Sequence, residues 1–327
     1  MKLNIDAHLY CLGPTNDVYV TGGYFDEFTL HENLEHLSRT GLVTGLNMIW
    51  PTAPLPEDPV KCAGFLKQYG LKVSYILAGN FLDKEYKHGA FSTTETGVLK
   101  KSVEMCKRGI DFAGAVNADS VLLWPAHDGF DYPFQVNYYD AWKRLAETMA
   151  ELAEYAGDLK LAIEPKPRDP RQKMLVSGVG TALHLINEVS RENLGCALDI
   201  GHSIAAQENM ANALTMLATA GKLYQIHLND NYKDADPDMI VGSISFIETL
   251  EMFYYLVQTD FSGWCSVDIK ATRVDRVKSL ETAVRMTQRY YNMARKLLER
   301  KDELEFNMRG YEFSDNIELI YELLFKS

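Results

Sequence analysis

The chain has 327 residues, 46% hydrophobic and 24% charged, and its 45 acidic against 33 basic side chains give a net charge of −12. That length exceeds a small module and suits one (β/α)8 barrel with a modest extension. The acidic balance works against nucleic acid or an anionic membrane face as partner, and suits a neutral or cationic small ligand, or a metal.

Strand and helix signals alternate along the chain. Short runs rich in Val, Ile, Leu and Tyr predict strands at residues 3–10, 43–49, 72–77, 120–124, 160–164, 194–199, 223–228 and 264–269. Amphipathic stretches predict helices at 30–40, 97–115, 139–156, 182–189, 208–220, 244–258 and 276–299. This order predicts a parallel sheet with helical crossovers, and eight units predict an α/β fold closed into a barrel. The expected organisation is a barrel domain over residues 1–300 and a short helical extension over 301–327. The extension ends in NIELIYELLF, which would pack on the barrel or on a neighbouring subunit.

Cys11, Cys62, Cys106, Cys196 and Cys265 are odd in number, widely spaced and without a CxxC pair. They read as reduced thiols that pack as small hydrophobes. The opening MKLNIDAHLYCLG lacks the apolar run of a signal peptide, and nothing approaches a membrane span. A cytoplasmic location is the expectation.

Active sites of such barrels lie at the C-terminal ends of the strands. There, strand 5 delivers Glu164 and Lys166, strand 6 Asp199 and His202, strand 7 His227, Asn229 and Asp230, and strand 8 Asp268 and Lys270. Taken singly, an Asp at a strand end is commonly a helix N-cap, and a lone His a satisfied core residue. Taken together, three carboxylates in one mouth repel each other unless a cation neutralises them. The mixed donor set Glu164, Asp199, His227 and Asp268 suits Mn²⁺, Co²⁺ or Zn²⁺ and tolerates Mg²⁺. The alternating acids Asp234, Asp236 and Asp238 read equally as a solvated turn or as ligands of a second metal, with His202 and a bridging Asp199.

These residues carry a resemblance. LAIEPKPRDPR, residues 161–171, resembles the IEPKP motif of xylose isomerases. LDIGH at 198–202, AGKLYQIHLNDN at 220–231, DPDMIVG at 236–242 and VDIK at 267–270 resemble further segments of that family on successive strands. So does the stretch from Asn80 through HGAFSTTE to VLLWPAHDG, and the likeness runs over about residues 71–300. The resemblance implies a sugar isomerase that interconverts aldose and ketose by a metal-assisted 1,2-hydride shift. It implies two divalent ions per subunit, Mn, Mg or Co, with Zn as a further option. Glu164, Asp199, His227 and Asp268 would hold the first, and Asp199, His202, Asp236 and Asp238 the second, catalytic one. Lys166 would donate to the carbonyl oxygen at C1, Trp124 and Phe81 would wall the hydride path, and Asn229 takes the matching place after strand 7. A small-molecule sugar as substrate and a homo-oligomer, dimer or tetramer, are implied as well.

The chain also departs from that family. Asp199 stands where the family has Glu, and His227 where it has Asp. The Glu-Asp-His-acid set is instead similar to rhamnose isomerases and ketose 3-epimerases. The ring-opening His of strand 2 is missing from GLNMIWPT, leaving His8, Asn47 or His127 as sugar contacts. Three rivals follow. One is a ketose 3-epimerase using Glu164 and Asp268 for proton transfer. Another is a zinc phosphodiesterase for abasic DNA, which calls for more than eight histidines and a basic face. The last is a barrel that binds metal or sugar without turnover.

Overall fold

The computed structural model describes residues 3–169 and 172–325. Met1, Lys2, Lys326 and Ser327, at the ends of the expected domains, lie outside the described residues, as do Pro170 and Arg171 at the end of the LAIEPKPRDPR motif.

The predicted strands all form and close into one parallel barrel. They are β1 (Asn4–His8), β2 (Val43–Trp50), β3 (Lys72–Ala78), β4 (Ser120–Leu123), β5 (Lys160–Ile163), β6 (Leu194–Asp199), β7 (Leu223–Leu228) and β8 (Trp264–Val267). Closure comes from β1, which pairs with β2 on one side and β8 on the other. A small antiparallel ribbon, Gly129–Phe130 against Lys173–Met174, decorates the upper rim.

The helices are α1 (Leu30–Arg39), α2 (Pro59–Lys67), α3 (Thr96–Ala115), α4 (Tyr138–Ala156), α5 (Val179–Val189), α6 (Ile200–Ala205), α7 (Met210–Thr219), α8 (Phe246–Leu256), α9 (Arg276–Leu298), α10 (Lys301–Gly310) and α11 (Phe313–Phe325). Their starts are written in local chemistry. Thr29 and Glu32 make a reciprocal capping box on α1, Asp58 caps α2 ahead of Pro59, and Asp275 caps α9. Each such cap contributes about 1 kcal/mol. Among the described residues no helix is long and apolar enough to cross a membrane.

Two helices escape the sequence reading. α2 hides in PTAPLPEDPV, where closely spaced prolines look like a loop, although proline is well suited to a first helical position. α6 is a six-residue turn capped by Asp199, too short to show a period. The first strand also stops early. His8 Nδ1 accepts from Tyr10 N–H at 2.9 Å, and that cap turns Leu9–Leu12 into a 3-10 helix.

The main core lies between barrel and helices, with Leu37, Leu66, Leu145, Leu214 and Leu280 fully buried. Truncating any one of them to Ala leaves a cavity costing about 2–5 kcal/mol. All five cysteines are buried and free, as expected of thiols that serve as packing. Inside the barrel the apolar residues Tyr75, Leu122, Ala162 and Ala197 share space with a polar layer. Asp6, fully buried, accepts from Ser266 Oγ at 2.6 Å, from Asn47 Nδ2 at 3.2 Å and from Ser74 Oγ. Gly45 makes room for that layer, since a Cβ there would meet the Trp264 ring at 2.6 Å and Asp6 Cβ at 2.9 Å. Beyond the barrel, α10 and α11 bury Leu304 and Leu319.

Candidate metal centre

Four consecutive strands, β5 to β8, each end in a side chain directed at one point of the upper rim. Glu164 follows β5, Asp199 ends β6, His227 lies on β7 and Asp268 follows β8. One ligand atom from each lies within 4.8 Å of all the others. His227 Nδ1 is the hub, 2.9 Å from Glu164 Oε1, 3.8 Å from Asp268 Oδ2 and 3.9 Å from Asp199 Oδ2. Glu164, Asp199 and His227 are buried, and Asp268 is partly open to the mouth.

The donor set fits a divalent cation. Three carboxylates this close require positive charge, and in the bare site the histidines supply it. Burial pulls the His227 imidazole down, but Glu164, Asp268 and Asp199 outweigh it and push it up to about 9. Burial likewise raises Glu164, yet His227 holds that carboxyl below its ordinary value. Asp199 is pushed up to about 6 by burial, against the pull of His202. A bound ion would take the place of the His227 proton.

The tautomer is prepared for that exchange. Gln225 Oε1 stands 3.2 Å from His227 Nε2, and Gln225 is itself oriented by donating from Nε2 to Ser120 Oγ at 2.7 Å. Tyr75 Oη lies 3.1 Å from the same imidazole nitrogen. With Nε2–H engaged by Gln225, the Nδ1 lone pair is left to face the cluster. Gln225→Leu is therefore expected to weaken Mn²⁺ affinity by roughly 10–100-fold, read by isothermal titration. An unchanged dissociation constant would remove Gln225 from this role.

A pH dependence follows. His227 has an ordinary value of 6.5 and about 9 in the fold. In metal-free protein its charged form stabilises the fold fully below pH 6.5, and that contribution is lost as pH rises through about 9. Metal-free protein should lose roughly 2 kcal/mol between pH 6.5 and 8.5 from this group. Metal-loaded protein, whose His227 is already deprotonated, should lack that slope. Parallel melting series with and without Mg²⁺ decide it, and equal slopes would count against metal on His227.

The second expected set is arranged differently. His202, on the first turn of α6, places Nε2 3.2 Å from Asp236 Oδ2 and 3.9 Å from Asp199 Oδ2. Its Nδ1 meets the Pro165 carbonyl at 3.0 Å. Asp236 is also bridged by Lys166 Nζ at 3.0 Å, while Asp238 turns to Lys270 Nζ at 2.8 Å. One oxygen of each acid is thus engaged by a lysine, Asp236 Oδ2 by Lys166 and Asp238 Oδ2 by Lys270. Burial pushes Asp238 up to about 7 against the pull of Lys270. Burial also raises Asp236, but His202 and Lys166 hold it well below the usual carboxylate range. His202, lowered by burial, is pushed up to about 10 by Asp199 and Asp236.

Lys166 is the fixed cation of this rim. Its side chain is 13% exposed, with Asp169 at 3.5 Å on the far side and the Trp124 ring centroid 5.4 Å from Nζ. Burial disfavours its charge, but Asp236, Asp169 and Asp238 keep it well above the ordinary lysine value. Trp124 meets Phe81 edge-on at 4.9 Å, the two rings making one apolar wall. Asn229 donates to both Asp199 oxygens, at 3.2 and 3.1 Å. It approaches so closely because Gly201 has no Cβ, which would lie 1.9 Å from Asn229 Oδ1. Asn229 Oδ1, Asp236 Oδ1 and Trp124 Nε1 are buried polar atoms without a protein partner around one mouth, as a polar ligand site requires.

Two of the expected sugar contacts are spent on the protein itself. Asn47 serves Asp6, and His127 Nε2 engages the Phe81 carbonyl at 3.0 Å. His8 caps Tyr10 through Nδ1. Sequence reading missed Gln225, Tyr75 and Tyr10. Gln225 carried one signal, standing two residues before His227 and so on the same face of its strand.

The sequence profile described as "Xylose isomerase-like TIM barrel" matches residues 37–290. The xylose isomerase of Thermus thermophilus is 28% identical over 236 residues, covering 69% of this chain and 60% of that protein. The xylose isomerase of Thermus caldophilus is 25% identical over 248 residues, covering 73% and 64%. The chain thus spans less than two thirds of the length of either relative. Among solved structures, an L-ribulose 3-epimerase superposes with a TM-score of 0.71 at 17% identity, covering 91% of this chain and 97% of that one, which speaks to the fold alone. With its closed barrel and a profile match over most of its length, the chain belongs to the xylose isomerase-like TIM barrel family.

Proposed function

We propose that the protein is a divalent-metal-dependent aldose–ketose isomerase acting on an open-chain sugar by a 1,2-hydride shift. The observation that carries this reading is Lys166. A half-buried ammonium, pinned by Asp236 at 3.0 Å and lying on the Trp124 face, borders a four-residue cluster that could hold a metal.

Glu164, Asp199, His227 and Asp268 would hold the ion, which would supply Lewis-acid charge to hold the open-chain sugar and acidify a hydroxyl. The remaining work belongs to side chains. Lys166 donates to the carbonyl oxygen at C1 and stabilises negative charge growing there. The C2 hydrogen passes with its electron pair to C1 beside the Trp124–Phe81 wall, which keeps water from the path. The proton of the C2 hydroxyl leaves to Asp238, whose carboxyl burial pushes up to about 7, and returns at O1, so atoms and charge balance. No step is assigned to a second ion.

Relatives named xylose isomerase support the isomerase reading, and the Glu164-Asp199-His227-Asp268 set supports a ketose 3-epimerase as the second reading. There Glu164 and Asp268 would exchange a C3 proton. A panel of aldoses and ketoses, run with metal-stripped and Mn²⁺- or Co²⁺-restored protein in D₂O, separates the two. Retention of substrate hydrogen in a metal-dependent aldose–ketose product supports the isomerase. Deuterium at C3 of a ketose product overturns it in favour of the epimerase. Inertness across the panel with bound metal would overturn both.

A further inference from the structure

We infer that Tyr10 is a positioning residue that makes Asp268 a one-oxygen donor and so sets which cation the centre prefers; this rests on the metal reading above. Asp268 needs such control. Its side chain is 19% exposed, against 7% for Glu164, 2% for His227 and 0% for Asp199, so it is the ligand least enclosed by the protein.

The Tyr10 hydroxyl donates to Asp268 Oδ1. The other oxygen, Oδ2, is the one 3.8 Å from His227 Nδ1 and inside the cluster. Tyr10 is itself firmly placed. Its N–H is held by His8 Nδ1 at 2.9 Å, its ring packs on the His8 ring at 4.3 Å, and Lys270 Nζ lies 5.4 Å from its centroid. Since β1 pairs with β8, the turn that carries Tyr10 lies beside the strand end that carries Asp268. A tyrosine 258 positions away in sequence thereby holds one carboxylate oxygen and leaves the other for the ion.

The consequence is chemical selectivity. Ca²⁺ takes six to eight oxygen ligands and readily accepts both oxygens of a carboxylate, whereas Mg²⁺ demands tight octahedral geometry. Freeing Oδ1 adds a donor and widens the site, which favours the larger ion.

The test is competitive titration of metal-stripped wild type and Tyr10→Phe with Mn²⁺ and Ca²⁺, backed by the electron paramagnetic resonance spectrum of bound Mn²⁺. Tyr10→Phe should weaken Mn²⁺ by about tenfold or more and move the Ca²⁺/Mn²⁺ affinity ratio toward Ca²⁺. In an Asp268→Asn background the same change should have no further effect, because its path is gone. Metal-free circular dichroism is read first, and Tyr10→Trp, which also lacks the phenolic oxygen, takes its place if the phenylalanine protein does not fold. An unchanged ratio while wild type binds Mn²⁺ overturns the role of Tyr10, as does an effect that persists without Asp268. If wild type binds neither ion, the metal reading itself fails and takes this inference with it.

Discussion

Glu164→Gln is expected to fold normally and to lose activity by about 10³-fold or more. The amide keeps the shape of the carboxylate and can still accept from His227 Nδ1, now 2.9 Å away. What disappears is one of three negative charges around the ion and one of its four donors. An ion that polarises an oxygen contributes several kcal/mol to the transition state, and about 4 kcal/mol corresponds to 10³-fold in rate. Stability gives an independent reading. At a hundredfold excess over its dissociation constant, Mn²⁺ should stabilise wild type by about 2.7 kcal/mol, and the Gln protein at the same concentration should show little of that gain. Melting curves and kcat measured on the same samples check both. Full activity in the Gln protein would place the chemistry elsewhere.

Replacing Lys166 separates binding from chemistry. Lys166→Met is expected to lower kcat by about 10²–10³-fold, the size seen when a charge-stabilising donor is removed, while Mn²⁺ affinity stays near wild type. Lys166 touches Asp236 and Asp169 but none of the four ligands of the first ion. The change also strips Asp236 of one partner, and His202 Nε2 at 3.2 Å limits the damage to the fold. Lys166→Arg restores positive charge without the same point donor, so it should recover stability but not kcat. A Met protein with wild-type kcat and raised KM would mean that Lys166 merely holds the sugar.

The barrel was legible because it is written in local signals. Each strand is a short apolar run, each crossover an amphipathic stretch, and each of β5 to β8 carries its polar residue at or just beyond its C-terminal end. That Glu164, Asp199, His227 and Asp268 converge was legible for the same reason. What stayed hidden depends on contacts far apart in the chain. Gln225 finds Ser120 across 105 positions, and Lys270 finds Asp238 across 32. No run of sequence records that Asp238 would meet a lysine, so the acids of its loop read as metal ligands as readily as a turn. α2 was lost to prolines that resemble a linker until Asp58 is seen to cap them.

The polar layer within the barrel has a bearing on how the chain assembles. Asp6 comes from the first strand, and its donors come from the second, the third and, through Ser266, the last. A partial barrel ending before Ser266 would enclose a carboxylate short of one donor, or leave that region wet and unable to pack. Half-formed intermediates are therefore penalised at their very centre, and the seam between the first and last strands of the barrel becomes a condition for the whole ring rather than its final stitch.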